Sequence, residues 1–314
     1  MLEAAVQAPS GHNTQPWRFA VDGSCLFIYP DLTRRLPVVD ADDRELFVSL
    51  GCAAENLCLA ASQRGYAADV VADKGIVSVH LKKSDAMDAS PLFENIGQRQ
   101  TNRSVYSGKE IPEQVLNGIF QALKKENAVH MGAWRRKSRE FDRLTQYVME
   151  GNSLQMNDAA FKAELLSWIR FNKKQAEQTR DGLSYAALGA PSLPAWMARP
   201  IVQAMLNSKR QNAADLQKIQ SSSHLVLLAS PANTVAAWVE TGRVLQRLLL
   251  RLTQAGVAHA YLNQPCEVPA LNQKLRAELL GSRAFPQILL RIGYGQRLPP
   301  SKRRPVSAVI RACA

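Results

Sequence analysis

DADDRELFVSLGCAAENLCLAASQRG, residues 40–65, is the stretch from which the fold is read. Asp40, Asp42 and Asp43 stand where carboxylates favour a helix N-terminus, and Gly65 stands where a helix stops. Between them, residues 44–64 read as one helix whose apolar positions (Leu46, Phe47, Val48, Leu50, Ala53, Leu57, Leu59) run nearly all round it. A surface helix keeps one polar face, so this pattern marks a buried helix at the centre of the molecule.

Outward from this helix, LFIY at 26–29 reads as a strand stopped by Pro30 and Asp31, and short strands are expected around 68–71 and 76–81. Residues 84–91 read as a linker. Ile111-Pro112 sets a proline in the first turn of a helix carrying Val115, Leu116, Ile119, Phe120 and Leu123. Helical segments rich in Lys, Arg, Gln and Asn fill 136–180. DGLSYAALGAPSLPAWMARP, residues 181–200, has too many prolines and glycines for one regular element and reads either as a lid over the site or as an interdomain brace away from it. HLVLLA at 224–229 is a strand, 235–254 a long helix ended by Gly256, and QILLRI at 287–292 the last strand, followed by Gly-Tyr-Gly.

An internal repeat organises these elements. A shift of 191 residues lays Gly51 on Gly242, Gly65 on Gly256, Leu57 on Leu248 and Leu59 on Leu250. The two long helices are therefore expected to pack across a pseudo-twofold axis. A second shift, of 117 residues, lays Trp17 on Trp134, Ala5 on Ala122, and PSGHN at 9–13 on ENAVH at 126–130. The second copy of that loop has lost its Pro-Ser and its Asn, as a duplicated chain does when one of two sites is kept.

Composition bounds the function. With 314 residues, 46% hydrophobic and 21% charged, the chain is long enough for a large core. No apolar run reaches the ~18 residues of a membrane span, so no membrane partner is expected. The first residues as given carry no signal peptide. The five cysteines form no CxxC pair, which points to a reducing, cytoplasmic setting. The histidines show no metal-ligand spacing, so no metal is expected. A net charge of +12 favours anionic partners. Because no zinc-finger pattern, RNP signature or basic heptad accompanies it, a nucleic-acid or anion-binding module ranks below a small phosphorylated ligand. Arg243, Arg247 and Arg251, four apart, read as a solvated stripe.

APSGHNTQPW at 8–17 resembles the loop AlaProSer-x-x-Asn-x-GlnProTrp of the nitroreductase family. Arg99-Gln-Thr-Asn-Arg103, with IPEQVL behind it, is similar to the Arg-x-Ser-x-Arg motif and first helix of that family, with Thr101 where Ser is usual. PSKRRP at 300–305 resembles its C-terminal basic motif, and LNQPCEVP at 262–269 its Pro-x-Glu loop. The order of motifs resembles that of the tandem, Acg-like branch. The resemblance implies an α+β fold, a mixed sheet with flanking helices, in two copies fused as a pseudo-dimer that replaces the usual homodimer. The first copy would span 1–90, without an Arg motif, and the second 91–314, with that motif, the lid and the basic tail. It implies one FMN, its phosphate held by Arg99, Thr101, Arg103, Lys302 and Arg304. Pro9, Ser10, Gly11 and Asn13 would line the flavin, and Pro265, Cys266 and Glu267 would offer a backbone N–H to N5. No protein acid or nucleophile is needed, because the flavin carries the chemistry. The implied activity passes electrons from NAD(P)H to a nitroaromatic or quinone-like acceptor. The implied alternative is a flavin-storage protein with little turnover.

Overall fold

The structure is a computed structural model that describes residues 1–124 and 128–312. In chain order, α1 (Leu2–Ala5) leads to the strands β1 (Trp17–Asp22) and β2 (Cys25–Pro30), then α2 (Arg44–Ser62), β3 (Tyr66–Asp73) and β4 (Ile76–Lys83). Next come α3 (Glu113–Lys124), β5 (His130–Arg135), α4 (Arg139–Asn157), α5 (Ala159–Trp168), β6 (Ile169–Arg170), α6 (Lys173–Thr179), β7 (Leu183–Ser184), α7 (Ala195–Met205) and α8 (Ser208–Gln220). β8 (His224–Ser230), α9 (Val235–Gln254), β9 (Ala258–Tyr261), α10 (Gln264–Glu267), α11 (Pro269–Leu280) and β10 (Phe285–Gly293) complete the chain.

The chain folds as two compact units. One comprises residues 1–99, α9 with its lead-in from Asn233, and the tail from Arg303; the other comprises 100–232 and 255–302. α9 falls in the first unit because it packs on α2, and the tail because it joins β1.

In the first unit the sheet runs β1-β2-β4-β3, antiparallel throughout. The tail joins its free edge: Phe19 N–H donates to the Val309 carbonyl at 2.7 Å and Arg311 N–H to the Phe19 carbonyl at 2.8 Å. Asp40 caps α2, its two carboxylate oxygens each accepting an amide N–H, from Glu45 and Leu46, at 2.9 Å. Every residue of α2 except Cys58 is buried, as its all-round apolar pattern requires.

α2 packs on α9, and the two glycines paired by the 191-residue shift mark the crossing. A Cβ at Gly51 would run into the Val239 carbonyl, and one at Gly242 into the Val48 carbonyl, while each would crowd the Cα of the other glycine. Val48 and Val239 are themselves related by the same shift, so the contact is two-fold in pattern. Cys52 Sγ donates to the Gly242 carbonyl at 3.1 Å, and Gln246 Nε2 to Asn56 Oδ1 at 2.7 Å. The arginine stripe is not solvated along its length. Arg243 Nε lies 3.1 Å and Arg247 Nη1 3.8 Å from the buried Glu55 carboxylate, and both arginines also reach Glu240. Burial pushes the Glu55 pKa up, while Arg247 and Arg243 pull against it.

In the second unit the sheet runs β5-β8-β10-β9, again antiparallel throughout. Numbered within each set of four, the strand order is 1-2-4-3 in both sheets, and in both the long helix follows the second strand. The expectation of a mixed sheet is corrected: parallel pairing is confined to β6–β7 and to two isolated bridges among the described residues. Residues 136–223 separate β5 from β8. Phe141, Leu144 and Val148 of α4 and Ile219 of α8 pack with Leu225, Leu227 and Leu289 of the sheet. Farther along the insertion, Leu166, Ile169, Phe171 and Ala198 form a separate small cluster. Of the loop match at 126–130, residues 126 and 127 lie outside the described residues.

Candidate functional site

The loop at 8–17, in the first unit, is held by its own polar atoms. Ser10 Oγ accepts from the Gln15 N–H at 2.9 Å, and the N–H groups of Asn13 and Thr14 donate to the carbonyls of Ser10 and Gly11. His12, Asn13 and Gln15 all sit at positive φ (48°, 57° and 53°). Three non-glycine residues in the left-handed region within four positions is backbone strain that persists only where the surroundings over-determine it, a feature that clusters at ligand sites. Pro9 and Asn13 are buried, whereas Ser10, Gly11 and His12 remain half-exposed. Gly11 has a packing reason as well, since a Cβ there would stand 3.1 Å from Leu36 Cδ1.

The tail docked on β1 brings its cations to this loop. Arg303 Nη1 donates to Asn13 Oδ1 at 2.9 Å, and the Arg304 backbone N–H donates to the buried Gln15 Oε1 at 2.7 Å. Arg304 Nη2 donates to the Ala308 carbonyl at 2.9 Å. Arg303, whose side chain thus meets the loop, is a residue that the expected set omits. Lys302 is exposed. Arg99 is buried, and its Nη2 donates to the Gln7 carbonyl at 3.1 Å, so it fixes the chain just ahead of the loop.

In the second unit, Thr101 bridges to His259 at the outer edge of β9, and the Asn102 N–H donates to the His259 carbonyl at 2.8 Å. The Asn102 side chain accepts from Ser104 N–H and Oγ and donates to the Gln296 carbonyl. Its carbonyl accepts from Tyr106 Oη at 3.0 Å and Arg291 Nη2 at 3.2 Å. Arg291 is fully buried and stacks on the Tyr106 ring, 4.0 Å from its centroid. The Gly-Tyr-Gly turn is explained here: a Cβ at Gly293 or Gly295 would meet that same ring, at 2.8 and 2.6 Å.

Arg103 stands out against this bonded background. Half-buried, it makes no hydrogen bond and no ion pair among the described residues. Its pKa lies below the ordinary arginine value, through desolvation first; Tyr261 opposes the shift and the nearby Arg291 charge adds to it. Arg291 likewise forms no salt bridge among the described residues, its donors going to carbonyls and to Ser222. Two desolvated guanidiniums without a carboxylate make a place that gains by accepting an anion, and a planar donor fork suits a phosphate. The residues present therefore fit a phosphate-bearing cofactor.

The expectation for Pro265, Cys266 and Glu267 needs correction. Pro265 has no N–H, and those of Cys266 and Glu267 both donate to the Asn263 carbonyl, at 2.7 and 2.9 Å. Cys266 is buried in the apolar cluster around Leu225 and Leu289, and Glu267 accepts from Gln155 Nε2 at 2.5 Å. These amides close a turn and are not presented to a ligand. The Cys52 and Cys58 thiols are pushed up by burial, Cys58 to about 12, so neither is a nucleophile.

No family model matches the chain. It is 27% identical to "Putative NAD(P)H nitroreductase Rv3131" of Mycobacterium tuberculosis (strain ATCC 25618 / H37Rv), over 99% of this chain and 90% of that protein. It is 26% identical to "Putative NAD(P)H nitroreductase acg" of the same strain, over 98% and 93%. Among solved structures, the FMN-dependent nitroreductase NfnB from Mycobacterium smegmatis in complex with NADPH matches 69% of this chain and 96% of its own, at 17% identity and a TM-score of 0.44. A nitroreductase with bound FMN from Bacteroides fragilis NCTC 9343 matches 68% and 95%, at 16% identity and a TM-score of 0.38. Over nearly its full length the chain is thus similar to Mycobacterium tuberculosis proteins that carry the name NAD(P)H nitroreductase.

Proposed function

We propose that this chain binds one FMN and passes electrons from NAD(P)H to a nitroaromatic or quinone-like acceptor. The observation that carries the reading is Arg103, a desolvated guanidinium without a hydrogen bond or ion pair among the described residues, set beside a second buried arginine. Such a pair is costly unless an anion completes it. The names of the relatives, NAD(P)H nitroreductases, agree with it.

Bound FMN supplies hydride chemistry, and the protein supplies binding and placement. Arg103 and Thr101 are assigned to the phosphate, with Arg99, Lys302 and Arg304 as supporting cations. Pro9, Ser10, Gly11 and Asn13 are assigned to the flavin ring, with Arg303 holding the Asn13 amide in one orientation. We read the shared strand order, the position of the long helices and the Gly51–Gly242 crossing as two copies of one half-fold in a single chain, which stands in for the usual homodimer.

Arg103→Ala tests the assignment. It should weaken FMN by about 1.5–3 kcal/mol and riboflavin far less, because riboflavin lacks the phosphate. The ligand-free protein should lose no melting temperature, since the substitution relieves an uncompensated charge. Equal weakening of both ligands would make Arg103 structural and remove the phosphate assignment.

A further inference from the structure

Helix α7 (Ala195–Met205) carries only two polar residues, Arg199 and Gln203, yet much of it is exposed. Ala198 and Val202 face inward, onto the cluster of Leu166, Ile169 and Phe171. At about 100° per residue the outward arc is Trp196, Pro200, Ala204, Ile201 and Met205. All five are exposed, Trp196 by 79%, Ile201 by 49% and Met205 by 51%. Leu188, in the turn ahead, is exposed as well. Four of the thirteen large apolar side chains exposed among the described residues thus fall within 188–205, which makes a patch rather than scatter. An exposed arc this apolar leaves a surface to cover.

The charge around it says with what. No residue from 182 to 214 is acidic. Arg199, Lys209 and Arg210 are exposed, and none forms an ion pair among the described residues. Self-association through this face would bring like charges together, since a two-fold contact sets the same patch against itself. An anionic bilayer matches both features: tryptophan and aliphatic side chains seat at the headgroup level while lysine and arginine meet lipid phosphates. Such a helix lies in the interface plane, so no spanning segment is required.

We propose that α7 is a peripheral membrane-binding face that seats Trp196, Ile201 and Met205 in an anionic lipid surface. The full chain should be sedimented with phosphatidylcholine vesicles, with and without phosphatidylglycerol. Binding to the anionic vesicles should exceed binding to the neutral ones by at least about tenfold and fall with added salt. The double substitution Trp196→Ser, Ile201→Ser and the triple substitution Arg199→Glu, Lys209→Glu, Arg210→Glu should each lower it at least about tenfold. Melting temperatures should not change, since these side chains lie outside the core. Equal binding to both vesicles, or binding that survives both sets of substitutions, overturns the proposal. So does no vesicle binding together with a concentration-dependent dimer that Trp196→Ser abolishes, which would assign the face to a second copy of the chain.

Discussion

In the first unit, Gly23-Ser24 joins the first two strands of the sheet, with Gly23 supplying the positive φ a tight hairpin turn needs. In the second unit, residues 136–223 stand between the strands that hold the same two places. The long helices differ in the same spirit. α2 is buried nearly all round, while α9 carries the arginines that meet the Glu55 carboxylate of α2. Shifted by 191 residues, Glu55 falls on Gln246, a neutral and fully buried amide. Strand order is the same in the two units, while loops, insertions and charges differ. Packing geometry tolerates little change at a close backbone contact, whereas a loop absorbs a long insertion at small entropic cost.

The charge asymmetry carries the largest expected effect. Glu55→Ala leaves Arg243 and Arg247 in a largely buried place without it and should cost about 3–5 kcal/mol in urea unfolding. Gln246→Ala, at the matching position, should cost only about 1–3 kcal/mol. Equal losses would mean that the two helices bury polar groups alike and would break the contrast. The shared crossing is tested next. Gly51→Ala and Gly242→Ala each drive a Cβ into a backbone carbonyl and should each cost about 1–3 kcal/mol, to a similar extent. A large cost at one and none at the other would remove the two-fold reading of the contact.

A smaller effect belongs to the first unit alone. Burial first, and Glu45 second, raise the Asp40 pKa from 3.8 to about 7. Folding therefore strengthens proton binding at Asp40. Its stabilising contribution is complete below the unfolded pKa and is lost as pH rises through about 7. Asp40→Asn should flatten the decline of melting temperature over that window. The first turn of α9 has no acid, so substitutions there should leave the slope alone. A slope unchanged in Asp40→Asn would place the titration elsewhere.

The elements legible in the sequence are those with long, one-sided signals. Residues 235–254 form α9 as expected, α2 ends two residues short of the expected 64, and Gly51 and Gly242, matched by the shift, are in contact. β1, β5 and β9 are missing from the reading, being short strands at the sheet edges without a distinctive apolar run. Antiparallel pairing throughout each sheet was also not legible, because direction is set by which strands become neighbours. At the site, the Arg motif is visible, but its two arginines part company. Arg99 is tied to Gln7, while Arg103 makes no such bond. Nothing local in the sequence separates them. The same holds for Arg303 over Arg304, decided by how the tail joins β1 at Phe19. Tyr106 and Arg291 carry no motif, although the paired glycines at 293 and 295 are a trace of the ring they admit.

The direct test of the proposed single cofactor site is the flavin content of the purified, FMN-saturated protein. After removal of free ligand, the flavin released by heat should be FMN at one per chain. Two per chain would mean that both copies kept a site, and none, with no spectral change on adding FMN, would contradict the flavoprotein reading itself.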